Sequence, residues 1–306
     1  MLGFVSSLPC YGQCLLGLAA VYLLWKVVLK RLLFSRGRKE PQLQKTDWKK
    51  DVVYLYQFPR IRYTVSNSPW CLKLETWLRI AGIKYESIHS MTKRSRDGKM
   101  PFVELNGRHY HDSELIIREL SRHFGKQRLY GADEAQKSLG VMVGALIERA
   151  FWPFALYSRF ANLDYYSNSD VMNLWFMDYL VPLVKLTGMA NKMMENTVSV
   201  MGIGGHHIDE EELVYWARQQ LQSLNTFLGS KKYMLSDELT TADAAVFGQL
   251  ASLYYIPMPR GTAFHKFLDN EFPKLRDYVE RVKQAVYPDW NDIIVPGGKR
   301  QNKKNK

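Results

Sequence analysis

The β-like runs of this chain all fall between residues 51 and 126, and from residue 133 onward apolar residues recur only at helical spacing. A chain divided in this way builds a mixed sheet layer first and a helical body second. Val52–Phe58 and Lys84–His89 are rich in β-branched and aromatic residues and read as strands, with Pro59 ending the first. Between them Ser68 is a good N-cap and Pro69 a good first helical residue. Leu74, Trp77, Leu78 and Ala81 continue at helical spacing, and Gly82 closes the helix. Asn106-Gly107 between two β-like runs is a strong hairpin signal. Asp112-Ser113 then caps a helix with Ile116, Leu120 and Phe124 at i, i+4 and i+8, closed by Gly125. The predicted order over 51–126 is β-α-β-β-β-α, with Met100-Pro101 opening the third strand.

The helical region is predicted over 133–290. Leu139, Met142, Val143, Leu146 and Ile147 lie at helical spacing, and Phe151-Trp152-Pro153-Phe154 is expected to interrupt that helix. Two more apolar stretches flank Pro182. Met201-Gly-Ile-Gly-Gly205 reads as a loop, since no GKS/T follows it. Asp209-x-x-Glu212 opens a long helix as a capping box. The sharpest motif is Leu239-Thr240-Thr241-Ala242-Asp243, with Thr240 as N-cap, Asp243 as its reciprocal partner and Leu239 placed to staple onto Ala244. A final helix starts near Phe272.

Charge is segregated. The 306 residues carry a net +12, yet residues 51–298 hold 28 basic and 28 acidic groups. The excess sits in residues 1–50 and in the last eight residues. A neutral body excludes a nucleic-acid-binding face, which needs a basic stripe on the folded surface. The basic tail, residues 291–306, is short and has no aromatic residue for base stacking. Hydrophobic content of 46% excludes wholesale disorder. Phe4–Trp25 contains no charged residue, and residues 4–29 are long enough to span a lipid bilayer. Tyr22 and Trp25 suit the interface, and no Lys or Arg precedes the run, which argues against a cleaved signal peptide. The basic residues that follow place the rest in the cytosol. Residues 1–34 are therefore expected to be a transmembrane anchor, with a buried or interfacial helix as the alternative, and residues 35–50 a linker. Three cysteines, Cys10, Cys14 and Cys71, make no disulfide scaffold. No metal site is expected: His109-x-His111 and His206-His207 are read as surface or loop residues.

The element order, with Pro101 at that place, resembles the thioredoxin-like domain of glutathione transferases, and the Thr240–Asp243 motif and final helix resemble their all-α domain. The likeness covers about 51–290. It implies an α+β fold for that stretch, which the expected N-terminal transmembrane helix precedes, with glutathione as a candidate cofactor. It further implies a cis bond between Met100 and Pro101, with the backbone of Met100 turned toward the cysteinyl part of glutathione. Asp112 and Ser113 would hold the γ-glutamyl end; the plainer alternative makes them a helix cap alone. Ser68 stands where thiol-dependent relatives carry a nucleophilic Cys. That makes thiol–disulfide exchange unexpected and leaves two roles for Ser68: assisting a glutathione thiolate, or capping the helix. Ser-Pro-Trp-Cys-Leu-Lys-x-Glu-Thr-x-Leu-Arg, Gly-Lys-Met-Pro and the Gly-Ile-Gly loop before a Glu-rich helix resemble the failed-axon-connections family, related to metaxins. This resemblance implies a scaffold or interaction protein with protein partners and a role in axon development. An active glutathione-dependent transferase at a membrane surface is the alternative. The apolar N-terminal segment with basic residues after it suits the mitochondrial outer membrane, and equally the endoplasmic reticulum or plasma membrane, and a dimer stays open.

Overall fold

The computed structural model describes Tyr22 and residues 42–172, 174, 176–201, 209–257 and 263–294. Apart from Tyr22, the predicted anchor over 4–29 lies outside the described residues, as do the Gly-Ile-Gly loop, His206-His207 and the basic tail beyond 294.

Strands β1 (Val53–Gln57), β2 (Tyr85–His89), β3 (Phe102–Leu105) and β4 (Arg108–His111) form one sheet in the order β2-β1-β3-β4. β1 and β2 run parallel, with Leu55 opposite Ser87; β3 is antiparallel to β1 and to β4. The β3–β4 hairpin turns on Asn106 and Gly107, at φ +50° and +73°, the left-handed pair that a two-residue turn of this hand needs. The Met100–Pro101 bond is cis, as expected.

Two helices cover one face of the sheet. α1 (Pro69–Ile80) is capped by Ser68, and α2 (Ser113–His123) is capped by Asp112. Val53, Leu55 and Val103 meet Leu74, Trp77, Leu78, Ile116, Ile117 and Leu120 in the core between them. The other face carries Tyr54, Tyr56 and Phe102, with Tyr56 stacked on Phe102 at 4.4 Å. His109 stacks on Phe102 in turn, at 4.8 Å, so His109 and His111 stand on strand β4 rather than in a loop.

Residues 42–50, expected to be linker, are fastened to this second face. The buried Glu104 carboxylate accepts from Gln44 N at 2.7 Å, Lys45 N at 2.9 Å and Tyr56 Oη at 3.1 Å. Lys49 N donates to Tyr54 Oη, and Asp51 and Asn106 bond each other twice. The sequence of the strap is polar and aperiodic because its fixings are backbone N–H groups, which leave no mark on side-chain pattern.

The helical body follows. α3 (Glu134–Ala145) runs through a π-helical turn at Leu146–Phe151 directly into α4 (Trp152–Ala161). The aromatic-Pro segment therefore widens the helix instead of ending it. Pro153 lies inside this continuous run, so its missing N–H takes one bond out of the backbone ladder beside the π-helical turn. Among the described residues, Glu134–Ala161 is the one helical run long and apolar enough to cross a membrane by length and composition. Here it packs Val143, Ile147, Phe151 and Phe154 into the core of the body. Helices α5 (Met177–Leu186), α6 (Met189–Met201), α7 (Glu210–Leu228), α8 (Thr241–Tyr254), α9 (Ala263–Glu271) and α10 (Pro273–Val286) complete it.

α8 joins the two regions. Its Thr240–Asp243 capping box forms as predicted. The buried Asp243 carboxylate accepts from Thr240 N, Thr240 Oγ1, Met234 N and Tyr278 Oη, all within 2.8 Å. One turn on, Gly248 lies against α1 so closely that a Cβ there would stand 2.7 Å from the Pro69 carbonyl oxygen.

Burial alone would raise the Glu104 carboxyl, but the donors around it hold it below the usual carboxylate range. The stabilisation it gives is thus present above the ordinary unfolded value and is lost as pH falls through the folded one. Glu104→Ala should cost about 2–3 kcal/mol at pH 7, a charged acceptor and its orphaned donors together. The gap from the unaltered chain should narrow below about pH 4. Urea unfolding at both pH values, with amide exchange over 42–50, measures it.

Candidate functional site

The structure separates the predicted site residues into two clefts. Ser68 opens on the first, a cleft of about 250 Å³ walled by Phe58, Asn67, Trp70, Trp152 and Met172. Its hydroxyl accepts from Cys71 N at 3.5 Å, the far limit for such a bond, so the cap is weak and the oxygen is only lightly engaged. Cys71 is fully buried, and burial pushes its thiol up to about 11. A thiol in that state supplies no thiolate at neutral pH, so the one described cysteine is inert packing.

Asp112 and Ser113 open on the second, a cleft of about 520 Å³ between α2 and the α3–π–α4 run. Asp112 adopts φ +66°, an uncommon conformation for a residue with a Cβ. Its Oδ1 accepts from Glu114 N at 3.0 Å and Leu115 N at 3.2 Å, so one oxygen is spent on the cap. Ser113 beside it is buried. Met100 and Pro101 line neither cleft. Trp70 lines both, and its ring meets Trp152 edge-on at 5.4 Å. The fold thus brings Asp112 and Ser113 together and sets Ser68 on the other side of the Trp70 ring.

The second cleft holds a group that no sequence signal exposed. Lys73, on α1, is 1% exposed, and its ammonium lies 2.8 Å from Glu114 Oε2 and 2.7 Å from Glu148 Oε1. Burial pulls Lys73 down, but Glu148 and Glu114 outweigh it and hold it above its ordinary value. Burial raises the Glu148 carboxyl, Lys73 draws it back, and Glu114 and Asp112 add repulsion, leaving it above the usual range. Lys73 and Glu75 lie on different faces of α1. Both are buried because α1 has the sheet on one side and α8 on the other. Glu148 was hidden for a related reason: it falls on the π-helical turn, which shifts its facing from α-helical register. The lining of this cleft holds three acidic side chains, Asp112, Glu114 and Glu148, and three basic ones, Lys73, Lys137 and Arg149, with Lys73 paired to Glu114 and Glu148.

Comparison with known proteins agrees with this architecture. The family profile described as glutathione S-transferase N-terminal domain matches residues 69–167, and the one described as glutathione S-transferase, C-terminal domain matches residues 217–282. The chain is 32% identical to the Drosophila melanogaster protein named Failed axon connections over 269 residues. That match covers 82% of this chain, and the chain spans 62% of that relative's length. It is 22% identical to the isoprene-epoxide–glutathione S-transferase of Rhodococcus sp. (strain AD45), covering 71% of this chain and 92% of that one. Among solved structures, a β-etherase from Sphingobium sp. strain SYK-6 superposes with TM-score 0.53 at 17% identity, over 76% of this chain and 94% of that one. A glutathione S-transferase from Methylobacterium radiotolerans in complex with glutathione sulfonate gives 0.52 at 13% identity, over 81% and 97%. These two likenesses show the fold.

Among the described residues Lys73 supplies the ammonium paired with the half-buried Glu148, and Lys73→Met should destabilise the chain by about 2–4 kcal/mol. Adding Glu148→Gln should restore part of that loss, because it removes the orphaned charge. Urea midpoints of the single and double variants check this; a double variant no more stable than Lys73→Met would show that the pair is not coupled.

Proposed function

Since this chain belongs to the glutathione-transferase-like family that includes Failed axon connections and is related to metaxins, we propose that it is a membrane-anchored scaffold on the transferase fold, acting through protein partners in axon development. Residues 4–29 hold it in the bilayer, the folded regions face the cytosol, and the mitochondrial outer membrane is a location to test first. The observation that carries this reading is the state of the helix terminus where thiol-dependent relatives keep their nucleophile. A serine caps the helix there, the neighbouring thiol is buried and protonated, and Trp70 stands between Ser68 and the Asp112–Ser113 pair. Thiol–disulfide exchange has no nucleophile at this site.

A second reading has its own support. The Asp112–Ser113 pair at the start of α2 supports a γ-glutamyl group at the second cleft, whose carboxylate suits a helix N-terminus. Glutathione is a plausible ligand on those grounds, and its thiol would have to pass Trp70 to reach Ser68.

The full chain, reconstituted in lipid nanodiscs, should show no turnover of 1-chloro-2,4-dinitrobenzene with glutathione above the uncatalysed rate. Turnover that falls in Ser68→Ala and Asp112→Ala would replace the scaffold with the enzyme. Calorimetry with glutathione on the same samples separates binding from catalysis: binding lost in Asp112→Ala without turnover would make glutathione a structural ligand. A chain lacking residues 1–34 should move from the membrane to the soluble fraction of cells.

A further inference from the structure

The face of the sheet turned away from α1 and α2 collects basic groups from separate parts of the chain. Two cross-strand rows run across it, Glu86–Tyr54–Glu104–His109 and Ile88–Tyr56–Phe102–His111. The strap over 42–50 lies on the first row, with Lys45 Nζ 5.4 Å from the centre of the Tyr54 ring. The loop over 90–99 lies against the second. Lys93 Nζ stands 5.1 Å from the centre of the Tyr56 ring, and Arg96 Nη2 lies 3.5 Å from His111 Nε2. The two segments together hold seven basic residues against two acidic ones, Asp47 and Asp97. Both acids are already engaged, Asp47 with Lys45 and Asp97 with His111.

Lys49, Lys50 and Lys99 are exposed, as is Arg108 on β4, and among the described residues none of the four forms an ion pair. Residues 51–298 balance their basic and acidic groups, so a basic excess on one face is a local property and not a general one. A second, independent feature lies at the rim of the same face. Trp48 is 40% exposed, and its indole lies along the tip of the β3–β4 hairpin, where a Cβ on Gly107 would stand 3.3 Å from Nε1. Unpaired lysine and arginine beside an exposed indole match a membrane–water interface: the ring sits at the level of the head groups, and the cations meet anionic lipid. Nucleic acid is a poorer fit, since one ring at the rim gives successive bases no stacking platform.

We propose that the outer face of the sheet, from Trp48 at the hairpin tip to the loop over 90–99, docks on the head groups of an anionic lipid bilayer, with Lys49, Lys50, Lys99 and Arg108 meeting the lipid phosphates and carboxylates. The proposal rests on the bilayer reading of residues 4–29 for keeping the body beside a membrane, and on the charge of this face for its orientation. Docked in this way, the opposite face of the sheet, with α1 and α2 packed on it, points away from the lipid and toward partners in the cytosol.

The test uses the full chain in nanodiscs of phosphatidylcholine, alone or with about 30 mol % phosphatidylserine, and follows the labelling of each lysine by acetic anhydride with mass spectrometry. Lys49, Lys50 and Lys99 should label at least about threefold more slowly in the anionic discs. Salt at about 0.5 M should abolish the difference, because it screens exposed charges within a few ångströms. Lys232 and Lys274, which line another basic cleft between the end of α7 and the start of α10, should label equally in both discs. Lys99→Gln combined with Arg108→Gln should remove most of the protection of Lys49 and Lys50. Both altered side chains are exposed and unpaired, so the urea midpoint should stay unchanged. Equal labelling of Lys49, Lys50 and Lys99 in the two discs, protection that survives the added salt, or protection confined to Lys232 and Lys274 would each overturn the proposal. Co-elution with the phosphatidylcholine discs reports on the anchor separately: a chain that leaves those discs yet shows the anionic-lipid footprint loses the anchor and keeps the docking face.

Discussion

Helix α1 is buried along its length, and the rest of the structure is arranged to make that tolerable. Cys71, Leu72, Leu74, Trp77 and Leu78 bring apolar surface inside, but Lys73, Glu75 and Thr76 go in with them. A buried polar group costs more unpaired than it returns paired, so each has a dedicated partner. Glu75 accepts from Gln57, from both Nη atoms of Arg60 and from Tyr85. Thr76 shares a hydrogen bond with Tyr287, and Trp77 Nε1 donates to Thr241. Arg79, at the far end, grips Asp289 through both Nη atoms. These partners come from the sheet, from α8 and from the segment after α10. One helix therefore locks the sheet layer to the helical body, and the missing side chain of Gly248 is what allows α8 to approach it so closely.

The clefts follow from this arrangement. Because α1 is clamped between the two regions, its N-terminus opens at their junction, where Trp70 divides the available space. On one side lie Lys73, Lys137 and Arg149 with Asp112, Glu114 and Glu148, three basic side chains against three acidic ones. On the other lie the helix terminus and Arg159, in a cleft lined by no Asp or Glu. The same junction thus presents two electrostatic environments within a few residues of chain. Reading function from the fold family alone would merge them into one site.

The strap over residues 42–50 ties the fold to the segment that precedes it. It covers the aromatic face of the sheet through Glu104, so the chain that leaves it toward the N-terminus starts from a fixed point on the body.

Much of the architecture was legible in the residues. Ser68-Pro69, Asn106-Gly107, Asp112-Ser113 and Thr240–Asp243 act through their nearest neighbours, so caps and turns could be placed from short stretches of chain, and the strand order followed. The two site elements carried by local motifs, the cis Met100–Pro101 bond and the Asp112 cap, were found where expected. What the sequence could not show was which polar residues face inward. Lys73, Glu75, Glu104, Glu148 and Arg159 occur in stretches whose pattern is ordinary for a solvated surface, and the π-helical turn shifts the facing of residue 148 without any change in composition. Whether a charge is paired, orphaned or set apart from its expected companions depends on contacts between residues 15 to 210 positions apart. Local chemistry determined the elements; only their packing decided that Ser68 and Asp112 would look into different clefts, and that one of those clefts would hold an unanswered positive charge.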